Sequence, residues 1–478
     1  MSLTKNIGIG TAAFVISCVL TLSSSSSSIG DYPNNILPYA LAEENDNNQS
    51  SSISILNKKG LDLLSSASYN EAIAYFDKIL AINSTDATAL NNKGFALYSL
   101  GKYDDAISYY DKAISIDPTD ATALNNKGLA LNDLGNYTAA ITNFDKALAI
   151  DPTDATALNN KAFTLYSLGK YNDAISYYDK ALAIRPNYAS ALNNKGLALN
   201  DLGNYTAAIK YYDKSLAIRP NDSSTLDNKG FALYSLGNYT DAISYYDKSL
   251  AIDPTDATVL NHKGLALVDS GKYSDAISYF DKALAIRPNY ITALDNKAIS
   301  LSQLGRDNEA IVYYDKAISI DPSNTKPLNG KGLALVNLGK YNDAISYFDK
   351  ALSIDPNDSV LLNDKGFALY SSGKYNEAIS YYDKAIAIRP NYATALNNKA
   401  LALLKLEKPN EAITYIDKAL SIDPNDAESL NSKGVILANL GRYYEAIKYI
   451  DKALSLRPNY ATALDNKNKI LDLLGKQR

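Results

Sequence analysis

The chain has 478 residues, 46% hydrophobic and 21% charged, with a formal net charge of -5, one Cys, one Met, one His and no Trp. Lys and Asp alternate along it and never gather into a block, which excludes the concentrated basic surface that nucleic acid requires. The single Cys18 excludes a disulfide framework.

Lys5 is followed by IGIGTAAFVISCVLTL over residues 7–22, which carries no charge, and by six serines at 23–28. A short basic start, an apolar centre and small polar residues form the pattern of an export signal. Three fates fit residues 1–30. Cleavage after Ala42 matches the small-x-small run Ala40-Leu41-Ala42. Retention as a membrane anchor fits if the serines extend the apolar run to about 20 residues. Lipidation of Cys18 fits the loose box Val15-Ile16-Ser17-Cys18. All three place the remainder outside the cytoplasm, extracellular or in the cell envelope, with Lys5 inside. A buried N-terminal helix is the plain alternative. Residues 31–52, rich in Asn and Ser, read as a flexible tether.

From residue 53 the sequence repeats every 34 residues, twelve times without insertion, through residue 460. Position 4 is always Leu, from Leu56 to Leu430, and position 20 is always Ala, from Ala72 to Ala446. Position 8 is Gly or Ala, position 24 is Phe, Tyr or Ile, and position 32 is Pro except at Ser84. In the second repeat, Leu90, Gly94, Leu97 and Leu100 lie three or four residues apart, one stripe of a first helix. Gly101 supplies a residue that tolerates positive φ and ends that helix. A second helix opens at Tyr103, with Ala106, Ile107, Tyr110, Ala113 and Ile114 as its stripe. Pro118 stops it, and Asp120 caps the next helix. Residues 461–478 keep the first half of the motif, including Leu464, and turn polar, as a solvating cap would.

This pattern resembles the tetratricopeptide repeat family. The resemblance implies an all-α fold: an α-solenoid, a right-handed superhelix of antiparallel helix pairs. Two departures stand out: Leu rather than Trp at position 4, and Lys rather than Leu at position 7. In repeat 11, Glu407 replaces the turn Gly and Pro409 opens the second helix, so a local bend is expected there. A single repeat buries too little to fold alone, so the repeats must stack and share stability across their interfaces.

Position 7 is Lys and position 25 is Asp in all twelve repeats, as in Lys161 and Asp179 of repeat 4. Both lie equally far from the hairpin turn, which predicts an ion pair within each repeat. A basic ladder for an acidic ligand is the alternative. The resemblance further implies that first helices line a concave face through positions 2, 5, 6, 9, 12 and 13. Position 6 is Asn at Asn92, Asn126, Asn160, Asn194, Asn228, Asn296 and Asn398. Such amides both donate to and accept from a peptide backbone, although solvation or capping is an equal reading. Positions 9 and 12 carry Phe95/Tyr98, Phe163/Tyr166, Phe231/Tyr234 and Phe367/Tyr370, aromatic anchors on alternate repeats of the first stretch. The alternative is that Phe packs between first helices and only Tyr is exposed. Asp133, Asp201 and Asp269 at position 13 tilt this face towards acidic. His262, at position 6 of repeat 7, reads as a simple substitution.

Family members that grip acidic chaperone tails use Lys at position 2; here only Lys326 is basic at that position, so that clamp is absent. No Ser/His/Asp set, metal cluster or phosphate loop is visible, and no segment outside the repeats has the length of a catalytic domain. The expected function is therefore an exported or membrane-tethered scaffold. It would bind a protein or peptide segment in its groove, without cofactor or catalysis. The alternative is a structural envelope component that self-associates.

Overall fold

Each repeat forms two helices, because its apolar residues fall on one stripe before the turn glycine and on one stripe after it. The computed structural model describes residues 48–476. Among these are twenty-five helices and no strand. The expectations for residues 7–22, for Cys18 and for most of the tether fall outside that range. Residues 48–52, which composition assigns to the tether, already belong to the first helix, since nothing in them stops it.

Contacts divide the chain into two blocks, which meet between residues 266 and 267. The N-terminal block contains α1 (Asn48–Ser65), α2 (Tyr69–Ile82), α3 (Ala87–Ser99), α4 (Tyr103–Ile116), α5 (Ala121–Asp133), α6 (Tyr137–Ile150), α7 (Ala155–Ser167), α8 (Tyr171–Ile184), α9 (Ala189–Asp201), α10 (Tyr205–Ile218), α11 (Ser223–Ser235) and α12 (Tyr239–Ile252). Helix α13 (Ala257–Asp269) spans the division. The C-terminal block continues with α14 (Tyr273–Ile286), α15 (Ile291–Gln303), α16 (Asp307–Ile320), α17 (Thr325–Asn337), α18 (Tyr341–Ile354), α19 (Ser359–Ser371), α20 (Tyr375–Ile388), α21 (Ala393–Lys405), α22 (Pro409–Ile422), α23 (Ala427–Asn439), α24 (Tyr443–Leu456) and α25 (Ala461–Lys476). Odd-numbered helices are the first helices of the repeats.

The turns follow from the residues that make them. Gly101 has φ 74°. Its N–H donates to the Tyr98 carbonyl at 2.9 Å while the Lys102 N–H reaches the Leu97 carbonyl at 3.0 Å. That crossed pair satisfies carbonyls the helix end would leave open. Glu407 takes the same conformation, φ 58°, and the same two bonds form around it. Pro409 is the first residue of α22, where its missing N–H costs nothing. The hairpin therefore keeps the length and frame of the others. At the next junction, the Asp120 carboxylate accepts from the Ala123 N–H at 2.9 Å and caps α5. Where Tyr replaces this Asp, an Arg three residues earlier stacks on the ring, as in Arg185 over Tyr188 at 4.6 Å.

The core runs across repeat boundaries inside each block. In the N-terminal block, Ala106 and Tyr110 of repeat 2 share one cluster with Leu129, Ala140 and Phe144 of repeat 3. In the C-terminal block, Leu396, Ala400 and Ile416 of repeat 11 share one with Val435 and Ile436 of repeat 12. Gly94 is small for a reason: a Cβ there would sit 2.7 Å from the Tyr110 ring. Each buried ring contributes roughly 1.5–3 kcal/mol. Because the rings pack against the following repeat, that contribution depends on the neighbour.

Candidate partner-binding site

Two consecutive positions of most first helices, 5 and 6, build an amide ladder. The position-6 side chain of one repeat donates to the position-5 side chain of the repeat before it. In the N-terminal block Asn92 Nδ2 donates to Asn57 Oδ1 at 3.3 Å, Asn126 to Asn91 at 3.1 Å, Asn160 to Asn125 at 3.1 Å and Asn228 to Asn193 at 3.1 Å. In the C-terminal block Asn398 donates to Asn363 at 3.0 Å and Asn466 to Asn431 at 3.1 Å. Asn194 breaks the rule; it accepts from Asn193 Nδ2 at 3.4 Å. Asn92 and Asn126 are 3% exposed and Asn296 is 4% exposed, whereas Asn160, Asn194, Asn228 and Asn398 are half-buried. The row read from the sequence as open groove surface is thus turned largely towards its own neighbours. The physical cause is close approach of successive first helices, which leaves a buried amide with the next amide as its partner. Asn159, Asn200 and Asn397 keep one buried carbonyl oxygen each without a donor.

The aromatic positions are also embedded. Tyr98 is 7% exposed, packs on Tyr103 at 5.5 Å, and its hydroxyl donates to Asp133 Oδ2 of the next repeat at 2.6 Å. Tyr166 repeats this with Tyr171 at 5.5 Å and Asp201 at 2.6 Å. Tyr234 packs on Tyr239 and Tyr370 on Tyr375. Phe95, Phe163, Phe231 and Phe367 are half-buried, so each keeps part of its ring open to solvent. The expectation of exposed aromatic pairs is corrected to partly open ones: Tyr98 is buried, while Tyr166, Tyr234 and Tyr370 are half-buried like the Phe residues of position 9. Asp133 and Asp201 are hydrogen-bonded and half-buried, while Asp269 is exposed. Burial pushes the Asp201 carboxyl above its ordinary range, against the pull of Tyr166 and Asn200.

The Lys and Asp of positions 7 and 25 pair between repeats, not within them. Lys161 bonds Asp145 of the preceding repeat and donates to the Tyr177 hydroxyl of its own repeat at 2.7 Å. Lys433 pairs with Asp417 at 2.7 Å and Lys467 with Asp451 at 2.7 Å in the same register. The Lys161 side chain is 9% exposed and that of Asp145 55%. Burial works against the Lys161 ammonium. The hydrogen bonds and charges of Asp145 and Tyr177 outweigh it and hold the group above the ordinary lysine range. The paired position-7 lysines therefore do not form the free basic ladder that an acidic ligand would need.

One cleft of about 290 Å³, lined by Asp179, Pro186, Leu192, Tyr211 and Lys214 among others, shares no residue with positions 6, 9, 12 or 13. Among the described residues no group of three His, Cys, Asp or Glu side chains is placed to hold a metal ion, and no helix is long and apolar enough to cross a membrane. Sequence reasoning missed position 5 as the other rail of the ladder. Its signal was visible, because Asn57, Asn91 and Asn125 recur as regularly as position 6.

Comparison with known proteins gives the following. One tetratricopeptide repeat family model matches residues 119–187, 153–221, 187–255, 221–288, 255–323 and 357–425. Two further tetratricopeptide repeat models match residues 87–120 and 326–358, and residues 397–461. No curated protein matches the chain. Among solved structures, the APC/C hetero-tetramer Cut9-Hcn1 is similar at 17% identity, over 88% of this chain and 97% of that one, with a TM-score of 0.43. Yeast Tom70 is similar at 18% identity, over 90% and 97%, with a TM-score of 0.47. A tetratricopeptide repeat protein from Parabacteroides merdae is similar at 20% identity, over 52% and 98%, with a TM-score of 0.47.

Proposed function

Since the chain belongs to the tetratricopeptide repeat family, whose repeats bind protein partners, we propose that it is an exported or membrane-tethered scaffold that holds a protein segment against its first helices and performs no catalysis. The observation that carries this reading is the row of half-buried Phe95, Phe163 and Phe231 on alternate first helices of the N-terminal block. Their rings are fixed by neighbours yet partly open, and such aromatic side chains anchor partners at low entropic cost. Exposed Asp269 favours a basic or neutral segment over an acidic one. Export rests on the charge-free run at residues 7–22 alone.

The test uses the full chain carrying Phe95→Leu, Phe163→Leu and Phe231→Leu. Leu129 and Leu197 occupy the same position in the intervening repeats, so the fold accepts Leu there. Capture of envelope proteins by the wild-type chain, lost in the triple variant, supports the reading; equal capture by both removes it. Self-association is the second reading. It is favoured by Ile82, Ile116 and Ile150 at position 30, which are 41%, 42% and 42% exposed in successive repeats. Sizing the purified chain over a range of concentrations separates the two readings, because polymers support the second and a constant monomer the first.

A further inference from the structure

The amide ladder is interrupted by ionisable side chains at three places. In the N-terminal block, Asp227 and His262 stand where other repeats carry the Asn pair, with His262 Nδ1 2.9 Å from Asp227 Oδ1. The His262 ring is 7% exposed and lies between the Phe231 and Tyr246 rings, at 5.8 and 5.9 Å. In the C-terminal block, Asp364 takes position 6 of repeat 10 and accepts from Asn329 Nδ2 at 3.0 Å and from Asn363 Nδ2 at 3.1 Å. Asp295 takes position 5 of repeat 8, and its Oδ1 is buried without a donor. The position that would supply one is Gly330. A Cβ there would stand 2.5 Å from the Tyr314 ring, so the ring holds the space of the missing side chain.

We propose that these substitutions make the ladder acid-strengthened: within each block, the grip of one first helix on the next tightens as pH falls from neutral into the mildly acidic range and loosens as it rises. The remaining rungs between repeats are amides, with Ser432 in repeat 12, and none of these titrates, so the response of the ladder is confined to the three places. This goes beyond the partner reading and does not depend on it.

The charges around each group support one direction. Burial opposes the charged form of His262, but Asp227, with Asp256 beyond it, holds the ring above the ordinary histidine value. Lys263 next to it is tied to Asp247. Burial pushes Asp295 up to about 7, with Lys326 on α17 pulling the other way and Tyr314 on α16 facing it. Burial pushes Asp364 up to about 6 against the two Asn donors; Asp358 adds to the rise, and Tyr382 and Tyr392 face it. A raised histidine contributes stability that is complete below its unfolded value of 6.5 and is lost as pH climbs through the folded value. A raised carboxyl acts in the same sense. Its contribution is complete below the unfolded value of 3.8 and fades as pH rises towards about 7 for Asp295 and about 6 for Asp364. Asp117 and Asp253 shift downward, so their opposing effect is confined to pH below the ordinary carboxylate range.

The experiment is thermal unfolding of the full chain at about pH 5 and about pH 8, bracketing the histidine range. The comparison is a variant carrying Asp227→Asn, His262→Asn, Asp295→Asn and Asp364→Asn, all residues the ladder already uses. The wild-type midpoint should fall by several degrees between the two pH values, and the variant should lose more than half of that fall. Asp201 and Glu428, raised by burial elsewhere, account for the remainder. An equal fall in both proteins overturns the proposal. Should the fourfold variant fail to fold, carbon-13 carboxyl titration of the wild-type chain decides. Asp295 and Asp364 titrating above the ordinary carboxylate range sustain it; ordinary values overturn it.

Discussion

Tyr178, Tyr212 and Tyr382 each bury a hydroxyl that has no hydrogen-bond partner. Phe occupies the same position in Phe76, Phe144, Phe280 and Phe348, equally buried. An unsatisfied buried hydroxyl costs about 1–3 kcal/mol. Tyr178→Phe, Tyr212→Phe and Tyr382→Phe should therefore each stabilise the chain by about 1 kcal/mol, read from denaturant unfolding; a loss of stability would show that these hydroxyls are paired. At this scale the sequence announced the rings and the small residues beside them. It did not announce where the Asn side chains turn. An amide at position 6 looks the same in a sequence whether it faces a partner or the next repeat. Only the closeness of successive first helices, which puts Asn126 Nδ2 3.1 Å from Asn91 Oδ1, decides between them.

Between elements, the Lys–Asp pairs show how a sound spacing argument chose the wrong partner. Positions 7 and 25 are equidistant from the turn, so symmetry predicts pairing inside the hairpin. The first helix instead lies between two second helices. Its Lys gives one bond to the Tyr at position 23 of its own repeat and the other to the Asp of the preceding repeat, as Lys161 does with Tyr177 and Asp145. The pair is thus an interface device. Asp145→Lys should lower unfolding stability by about 1 kcal/mol, at the upper end for a half-exposed pair, and high salt should shrink the difference. Because the lysine is held above its ordinary value of 10.5, the contribution should be complete below that value and be lost as pH rises from it through the folded value. An unchanged unfolding curve would show that the pair contributes nothing. The helix bounds were legible, since Gly101, Pro118 and Asp120 mark them by conformation. Repeats 1 and 11 are the exceptions: Ala67 at φ 57° and Glu407 at φ 58° close their turns as glycine does, so the bend expected in repeat 11 does not appear at its turn.

For the molecule as a whole, the 34-residue period and its small-large pattern were enough to fix the helix pairs and the family. The face that would hold a partner was legible only as a set of positions. Tyr98 and Tyr166 were placed there by spacing, yet they spend their hydroxyls on Asp133 and Asp201 of the next repeats. What the first helices leave partly open includes Phe95, Phe163 and Phe231, the rings of Tyr166 and Tyr234, and Asn160, Asn194 and Asn228 beside them. The central claim is that the first helices present the face that carries the partner. Hydrogen exchange on the full chain, with and without a captured partner, tests it most directly. Added protection should fall on α3, α5, α7, α9 and α11 and spare α4, α6, α8, α10 and α12. Protection concentrated on those second helices, or none on the first, would contradict the account.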